Sequence, residues 1–352
     1  MNTQELFPHL IGQKSAKRRL GFYLKNYKAS KIMPHLMFVA PKGCGKTTLA
    51  EATADVMMSS EDPTKAKRRL TINCSTIKNI KQFFNQIIIP HVADKEVTVI
   101  LDEASELPKD VEMALLTILN PNKHNVNTFS YEDYTVEFNF RFQSFMLATT
   151  EAQSIFHALM DRCERVDLEE YSFEELGKIV GIIATEVEFE DGLLDIIAPV
   201  LRGNARQAQK MATHINSYLR SEDRSYFTEK DWNILRYNLG TLPLGLSSIE
   251  LQILRLLAER KESSLTYLAA KTGLTKSCIQ RDFEMYLQKH NLMEIGRAGR
   301  SVTKKGHDYL TDLEAYLESE GKIDTAPKKK IVIQNKKPVR IKLPDSKVIA
   351  TN

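Results

Sequence analysis

Short, largely apolar runs recur along the first half of the chain and alternate with segments of helical character. The runs lie at residues 36–39, 70–74, 97–101, 145–150 and 164–168. Apolar and β-branched runs of this length, separated by helices, are typical of buried parallel strands. The pattern therefore predicts an α/β fold built on a doubly wound parallel sheet of five strands.

A different pattern begins near residue 247. The segments "SIELQILRLLAE", "SLTYLAAKTG" and "LTKSCIQRDFEMYLQKH" read as three helices, and in the third Ile279, Phe283, Tyr286 and Leu287 form one apolar face. The following "LMEIGRAGRSVT" reads as two short strands around a turn that contains glycine. Three helices followed by a hairpin predict a winged-helix domain.

These patterns divide the chain into four predicted parts. They are a large α/β domain at 1–170, a small helical domain at 171–243, a winged helix at 244–318 and a basic tail at 319–352. From Lys322 onward the tail holds nine basic residues against two acidic ones, a net charge of +7, without helical periodicity. We expect it to be disordered, and either to add unspecific attraction to phosphates or only to keep the chain soluble.

A phosphate-binding loop follows the first predicted strand. The stretch "APKGCGKTT" fits the pattern G-x-x-x-x-G-K-[ST] between a strand and a helix, except that Ala40 replaces the first glycine. Glycines at 43 and 45 let the backbone turn its N–H groups toward an anion, and the helix N-terminus adds positive potential. The residues predicted to bind phosphates are Gly43, Cys44, Gly45, Lys46, Thr47 and Thr48. Alanine at 40 is tolerated if its φ is negative.

Two acidic residues follow the strand at 97–101. Asp102 and Glu103 come where the carboxyl end of a parallel strand places ligands. We expect Asp102 to share a Mg²⁺ ion with Thr47, and Glu103 to activate the attacking water. The strand at 145–150 ends in two threonines, of which Thr150 is the candidate for contacting the γ-phosphate or the water, with Thr149 as its rival.

Two arginines follow the phosphate loop, the acidic pair and the threonines along the chain, which is the order of parts in a phosphoryl-transfer site. Arg162 lies just before the last strand of the sheet, and Arg206 opens a helix of the helical domain. An arginine that meets the γ-phosphate lowers the barrier to hydrolysis. As lone residues, surface arginines are the commoner interpretation of both, and it is their order after the other motifs that favours a role at the phosphates.

The composition gives no sign of an exported or membrane-spanning protein. The 352 residues are 42% hydrophobic and 27% charged, with no long apolar run and no signal-peptide pattern. The four cysteines are far apart and form no C-x-x-C pair, which indicates reduced thiols. We therefore expect a cytoplasmic protein.

Together these motifs resemble the AAA+ ATPases, and within them the RuvB family of bacterial Holliday-junction branch-migration motors. The resemblance rests on "LIGQKSAKRRLGFYL", "HLMFVAPKGCGKTTLA", "DLEEYSFEELGKIV" and "RGNARQAQKM", and covers roughly residues 5–312. It implies a hexameric ring that binds ATP and Mg²⁺ between subunits. It also implies an adenine pocket formed by Leu10, Ile11 and Tyr171, Thr150 and Arg206 as sensors, and Arg162 as a finger reaching the neighbouring subunit.

The predicted wing carries Arg297 and Arg300, spaced by small residues that allow close approach to phosphate. The resemblance implies that these arginines meet the DNA backbone, as suits a motor that moves along any sequence. A winged helix that contacts protein is the alternative.

An insertion at 122–143 contains Tyr134, Val136, Phe138, Phe140 and Phe142, whose alternation predicts a strand. The resemblance implies a projecting hairpin that docks a RuvA-like junction-binding protein. A hairpin buried within the ring is the other interpretation.

The leading hypothesis is an ATP-driven motor that moves duplex DNA through four-way junctions during recombination and repair. A loader of a sliding clamp or replicative helicase would share the ATPase but need a protein client, and the "DRC" around Arg162 is slightly similar to clamp loaders. An ATP-gated DNA-binding scaffold without turnover is the third reading.

Overall fold

The computed structural model describes residues 6–60, 62–260 and 262–320, and the predicted basic tail from Lys322 lies outside them. The chain divides into two compact units after Ser247. The first contains the parallel sheet and the helical segment that follows it. The second contains the helices and hairpin predicted to form a winged helix.

The first unit is built on a five-stranded parallel sheet in the order β2–β3–β6–β1–β7, which confirms the predicted fold. Its strands are β1 (Leu36–Val39), β2 (Arg68–Asn73), β3 (Val97–Asp102), β6 (Gln143–Thr149) and β7 (Glu164–Asp167). The intervening β4 (Val126–Tyr131) and β5 (Tyr134–Asn139) form a separate antiparallel hairpin.

Helices cover both faces of this sheet. They are α1 (Lys14–Ser30), α2 (Lys46–Val56), α3 (residues 80–91, with a π-helical turn at Phe84–Ile88), α4 (Lys109–Ile118) and α5 (His157–Met160). In β3, Val99 and Leu101 enter the core beneath α4, while Ile100 enters the core beneath α1 and α2. Because both faces are buried, the strands read as continuous apolar runs rather than alternating ones.

The β4–β5 hairpin packs its apolar face into its own domain. Val136, Phe138 and Phe140 are buried, and Phe84 stacks on Phe129 and Tyr131. Of the alternating residues that predicted this strand, Tyr134 and Phe142 remain exposed. A partner that docks on the hairpin would therefore meet its turn and its polar face.

The helical segment of the first unit has its own core around the buried Trp232. Its elements are α6 (Phe173–Ile183), β8 (Glu188–Phe189), α7 (Leu193–Ile197), α8 (Ala205–Ser221), β9 (Tyr226–Phe227) and α9 (Glu229–Asn238). Capping boxes begin α6 and α9, with Ser172 paired to Glu175 and Thr228 paired to Asp231. These caps fix where the two helices start.

The second unit has the predicted order of elements. It comprises α10 (Ser248–Ala258), α11 (Leu265–Thr272), α12 (residues 276–289), β10 (Met293–Ile295), β11 (Arg300–Val302) and α13 (Lys304–Glu320). Helix α12 contains a π-helical turn at Ile279–Glu284. Ile279 and Leu287 of its predicted apolar face are buried, whereas Lys276 and Arg281 are exposed.

Candidate nucleotide site

Parallel pairing brings three strand ends to one edge of the sheet. Val39 of β1 lies beside Thr149 of β6, and Asp102 of β3 lies beside Ala148. The phosphate loop therefore leaves β1 next to the residues that end its neighbours. Carboxyl ends of parallel strands are where α/β sheets bind ligands.

The loop residue that departs from the motif is accommodated without strain. Ala40 is buried and is not among the residues with positive φ, so the condition for tolerating alanine is met. Gly43 and Gly45 have φ values of 82° and 85°, a region that favours glycine. Lys46 opens α2, and its Nζ donates to the carbonyls of Ala40 (2.9 Å) and Pro41 (3.0 Å).

The Lys46 ammonium sits in an environment that disfavours its charge. Burial lowers its pKa below the ordinary value, and the nearby Asp102 and Glu103 carboxylates act in the opposite direction. An incoming phosphate would supply further negative charge at the same place. The lysine is therefore positioned for an anion.

Thr47 and Asp102 lie together as predicted. The Thr47 hydroxyl donates to Asp102 Oδ2 at 2.9 Å, so two hard oxygen ligands face one point. Glu103 adopts φ 55°, an unusual conformation for a residue with a side chain, and its backbone N–H donates to Asp102 Oδ1. Backbone strain of this kind clusters at functional sites.

Both candidate threonines line the same cavity. Thr149 is fully buried and its hydroxyl accepts the Glu151 N–H at 3.0 Å, while Thr150 lies just beyond β6 and is half-buried. Because Thr150 is more accessible than the fully buried Thr149, it remains our choice for contact with the γ-phosphate or water.

One cavity holds the predicted phosphate and catalytic residues together. Its lining residues are Lys42, Gly43, Gly45, Lys46, Thr47, Thr48, Asp102, Glu103, Thr149, Thr150, Arg206 and Gln209. The structure thus brings Arg206, from the first turn of α8, to the phosphate loop. Gln209 was missed from the sequence, although its spacing of three residues from Arg206 places both on one helix face.

A second cavity shares Gly45, Thr48 and Gln209 with the first and contains the predicted adenine contacts. Leu10, Ile11 and Tyr171 line it. Its other apolar wall is formed by α6 residues Ile179, Ile182 and Ile183, which no sequence motif marked. Burial raises the pKa of Tyr171, so the phenol stays neutral beside the apolar wall.

Cys44, predicted to bind phosphates, is buried in the core and lines neither cavity. Arg162 also lies apart from both cavities. It precedes β7, and its guanidinium donates to the Leu116 carbonyl (2.9 Å), the Ala158 carbonyl (2.6 Å) and Asn120 Oδ1 (3.2 Å). It satisfies a carbonyl at the C-terminal end of α4, which is a structural role. Within one subunit it does not reach the nucleotide cavity.

In the second unit, the two arginines predicted to contact DNA differ in exposure and in their partners. Arg297 is exposed in the turn between β10 and β11. The Arg300 side chain is only 14% exposed and forms a bidentate ion pair with the buried Glu284, at 2.8 and 3.2 Å. Arg300 therefore anchors the wing to α12, while contact of either arginine with a phosphate backbone stays a prediction.

Two family models match separate parts of the chain. Residues 36–171 match the ATPase family associated with various cellular activities (AAA), and residues 243–311 match the RuvB C-terminal winged helix domain. The chain thus has an AAA domain with a five-stranded parallel sheet and a winged-helix domain of the RuvB type. The ATPase family supports ATP binding by the first of them.

Curated relatives and solved structures agree with these matches. The Holliday junction branch migration complex subunit RuvB of Mycoplasma pneumoniae is 24% identical, with 87% of this chain and 96% of the relative covered. The RuvB subunit of Thermosipho melanesiensis is 27% identical, with 85% and 95% covered. The Thermotoga maritima RuvB Holliday junction branch migration motor superposes with a TM-score of 0.68 at 21% identity, covering 87% and 96%. The predicted resemblance to RuvB is confirmed.

No single helix among the described residues is long and apolar enough to cross a membrane. One consecutive pair, Glu229–Gly245 and Ser248–Ala258, passes on length and composition alone.

Proposed function

We propose that this chain, which carries an AAA domain and resembles RuvB, is an ATP-driven motor that moves duplex DNA to migrate Holliday junctions. One observation carries the proposal above the others. A single cavity collects the phosphate loop, a carboxylate pair and an arginine from the helical segment, in a chain that also matches the RuvB winged helix. The curated relatives are named as subunits of the branch migration complex.

The chemistry follows from the residues of this cavity. Lys46 and the loop N–H groups hold the phosphates, and Arg206 approaches the γ-phosphate from α8. Glu103 orients the attacking water and takes up its proton, while Thr150 fixes the water or the γ-phosphate. Because the groups that meet developing charge are held in place before reaction, hydrolysis requires little rearrangement.

A magnesium ion fits the oxygen ligands present. Thr47 Oγ1 and Asp102 Oδ2 lie 2.9 Å apart beside the phosphate loop. Mg²⁺ in nucleotide sites takes one or two protein oxygens together with phosphates and water, so a larger set of carboxylates is unnecessary. The ion would neutralise charge on the β- and γ-phosphates.

The position of Arg162 favours a ring. Its guanidinium lies outside its own nucleotide cavity, at the edge that begins β7. In a closed ring, such as the hexamer that the resemblance implies, this edge would face the γ-phosphate bound by the next subunit. The three hydrogen bonds, to Leu116 of α4, to Ala158 of α5 and to Asn120, would hold the arginine in that direction.

The winged helix supplies the DNA contact. Arg297 in the exposed wing turn is the proposed backbone contact, and the exposed Lys276 and Arg281 of α12 add positive charge. Contacts to phosphates carry no sequence information, which suits a motor. A RuvA-like partner would dock on the exposed turn of the β4–β5 hairpin, where Glu132, Asp133 and Tyr134 lie.

The test is ATP-dependent branch migration of a synthetic four-way junction. Lys46→Ala should abolish nucleotide binding, and Glu103→Gln should retain binding while lowering turnover at least a hundredfold. Both variants should lose junction migration. Migration that survives both changes would contradict the mechanism.

A loader remains the second candidate, since the ATPase site alone does not distinguish it from a motor. ATP turnover measured alone, with linear duplex and with a four-way junction separates the two. Stimulation greatest on the junction supports the motor. Turnover indifferent to the junction supports a loader, and binding without turnover supports a scaffold.

A further inference from the structure

The N-terminus of α8 is joined directly to the phosphate loop. The Ala205 N–H donates to the Gly43 carbonyl at 3.0 Å. The Asn204 side chain donates through Nδ2 to the Lys42 carbonyl at 3.4 Å. Its other end, Oδ1, accepts the Arg206 N–H at 2.9 Å and so caps the helix.

The fit between Asn204 and the loop is close. A Cβ built on Gly43 would lie 1.9 Å from Asn204 Oδ1, closer than any real contact. Glycine is therefore required at 43 by this side chain as well as by its φ of 82°. The loop and the helix that carries Arg206 cannot approach this way with any other residue there.

The two cavities of the nucleotide site lie between the same two parts of the first unit. One wall is the phosphate loop, and the opposite wall includes Arg206 and Gln209 of α8. A nucleotide held between them leaves most easily when the walls separate. Any direct bond across that boundary opposes the separation.

We propose that Asn204 and Ala205 form a latch between the helical segment and the phosphate loop, which positions Arg206 and slows nucleotide release. The inference deepens the proposed function, because it rests on this cavity being an ATP site. Asn204 and Ala205 act as positioning residues. The Arg206 guanidinium, for which the described residues provide no hydrogen-bond acceptor, stays available for the γ-phosphate.

The cleanest perturbation removes one N–H and preserves the helix. Ala205 occupies the first helical position, where proline is favoured, and Asn204 has φ −118° and ψ 114°, as a residue before proline requires. Ala205→Pro should therefore keep α8, delete the bond to Gly43 and place its ring Cδ against the Gly43 carbonyl oxygen, so that the latch is forced open. Ala205→Ser retains the N–H and is the matched control.

The experiment measures release of a fluorescent ADP analogue from the full chain by stopped flow, chased with excess ATP. One hydrogen bond contributes about 0.5–1.5 kcal/mol and the proline ring also repels the Gly43 carbonyl, so Ala205→Pro should release ADP at least about 2- to 10-fold faster. Ala205→Ser should match the wild type. Asn204→Ser, which keeps a capping oxygen but cannot reach Lys42, should also accelerate release.

A measurement of unfolding separates a latch from a merely structural role of Asn204 and Ala205. The unfolding transition followed by Trp232, which is buried in the helical segment, should stay in place for Ala205→Pro. Equal ADP release by the wild type, Ala205→Pro and Asn204→Ser would overturn the latch. The assay contains no DNA, so failure of junction migration would refute the proposed motor without touching this inference. A wild type that binds no ADP would refute the site itself.

Discussion

Replacing Arg300 tests whether it anchors the wing or contacts DNA. Glu284 is 1% exposed, and its two carboxylate oxygens are paired with the Arg300 guanidinium at 2.8 and 3.2 Å. Arg300→Ala would leave that carboxylate buried without its cation. Breaking a buried pair in this way costs about 3–5 kcal/mol, and the 14% exposure of the arginine places the expected cost near 3 kcal/mol.

The loss should be local to the second unit. Hydrogen exchange of peptides covering β10 and β11 should accelerate about a hundredfold, since 1.4 kcal/mol corresponds to a factor of ten. Trp232, the only tryptophan, belongs to the first unit, so its fluorescence transition should not move. This internal reference distinguishes wing opening from general destabilisation.

Two matched variants complete the test. Arg297→Ala removes an exposed arginine three residues away and should leave exchange unchanged. The double variant Glu284→Leu, Arg300→Met removes both charges and should recover most of the lost protection, because no buried charge remains. The reasoning fails if Arg300→Ala leaves exchange unchanged while weakening DNA binding as Arg297→Ala does.

Three further predictions concern other parts of the chain. Arg162→Ala should bind ATP normally without turnover, and mixing it with Lys46→Ala should restore some activity; normal turnover by Arg162→Ala would exclude a finger. Arg297→Ala should weaken duplex binding equally across sequences and reduce the salt slope by about one, whereas sequence-selective loss would indicate base reading. Burial lowers the pKa of His35 to about 4 from 6.5, so the folded state binds fewer protons. Urea unfolding should thus show stability falling by at most about 3 kcal/mol from pH 6.5 to 4, and His35→Phe should flatten this dependence.

The sequence predicted those parts of the fold that depend on local pattern. The bounds of β1 were recovered in full, because Leu36 to Val39 is an apolar run fixed at its end by the phosphate loop. The ends of β2 and β6 shifted, with β2 beginning at Arg68, whose side chain is exposed. The lengths of β2 and β6 are set by their pairing with β3, and the apolar run of one strand does not reveal how far that pairing extends.

Site residues could be predicted where they belong to a local sequence motif. They could not be predicted where their contacts depend on how distant segments fold together. Asp102 could be paired with Thr47 because each belongs to a motif with a known place on the sheet. The pairing of Arg300 with Glu284 could not, since it depends on how the wing folds back onto α12. Asn204 was missed for the same reason, because its partner Lys42 lies in a distant loop, and Gln209 was missed because the cavities that it lines form only on folding.

The glycines of the phosphate loop satisfy two steric requirements, one from the phosphate and one from the helical segment. Glycine at 43 and 45 is usually explained by the approach of phosphate, yet here a Cβ at either position would strike the helical segment. It would lie 1.9 Å from Asn204 Oδ1 at residue 43 and 2.8 Å from the Tyr171 hydroxyl at residue 45. Ala40 is not among the residues with positive φ, and its backbone pairs through both groups: its N–H donates to the Thr149 carbonyl and its carbonyl accepts from Lys46. The departure from the motif therefore falls at a position whose backbone conformation does not require glycine, while the two glycines that remain are those at which a side chain would collide with Asn204 or Tyr171.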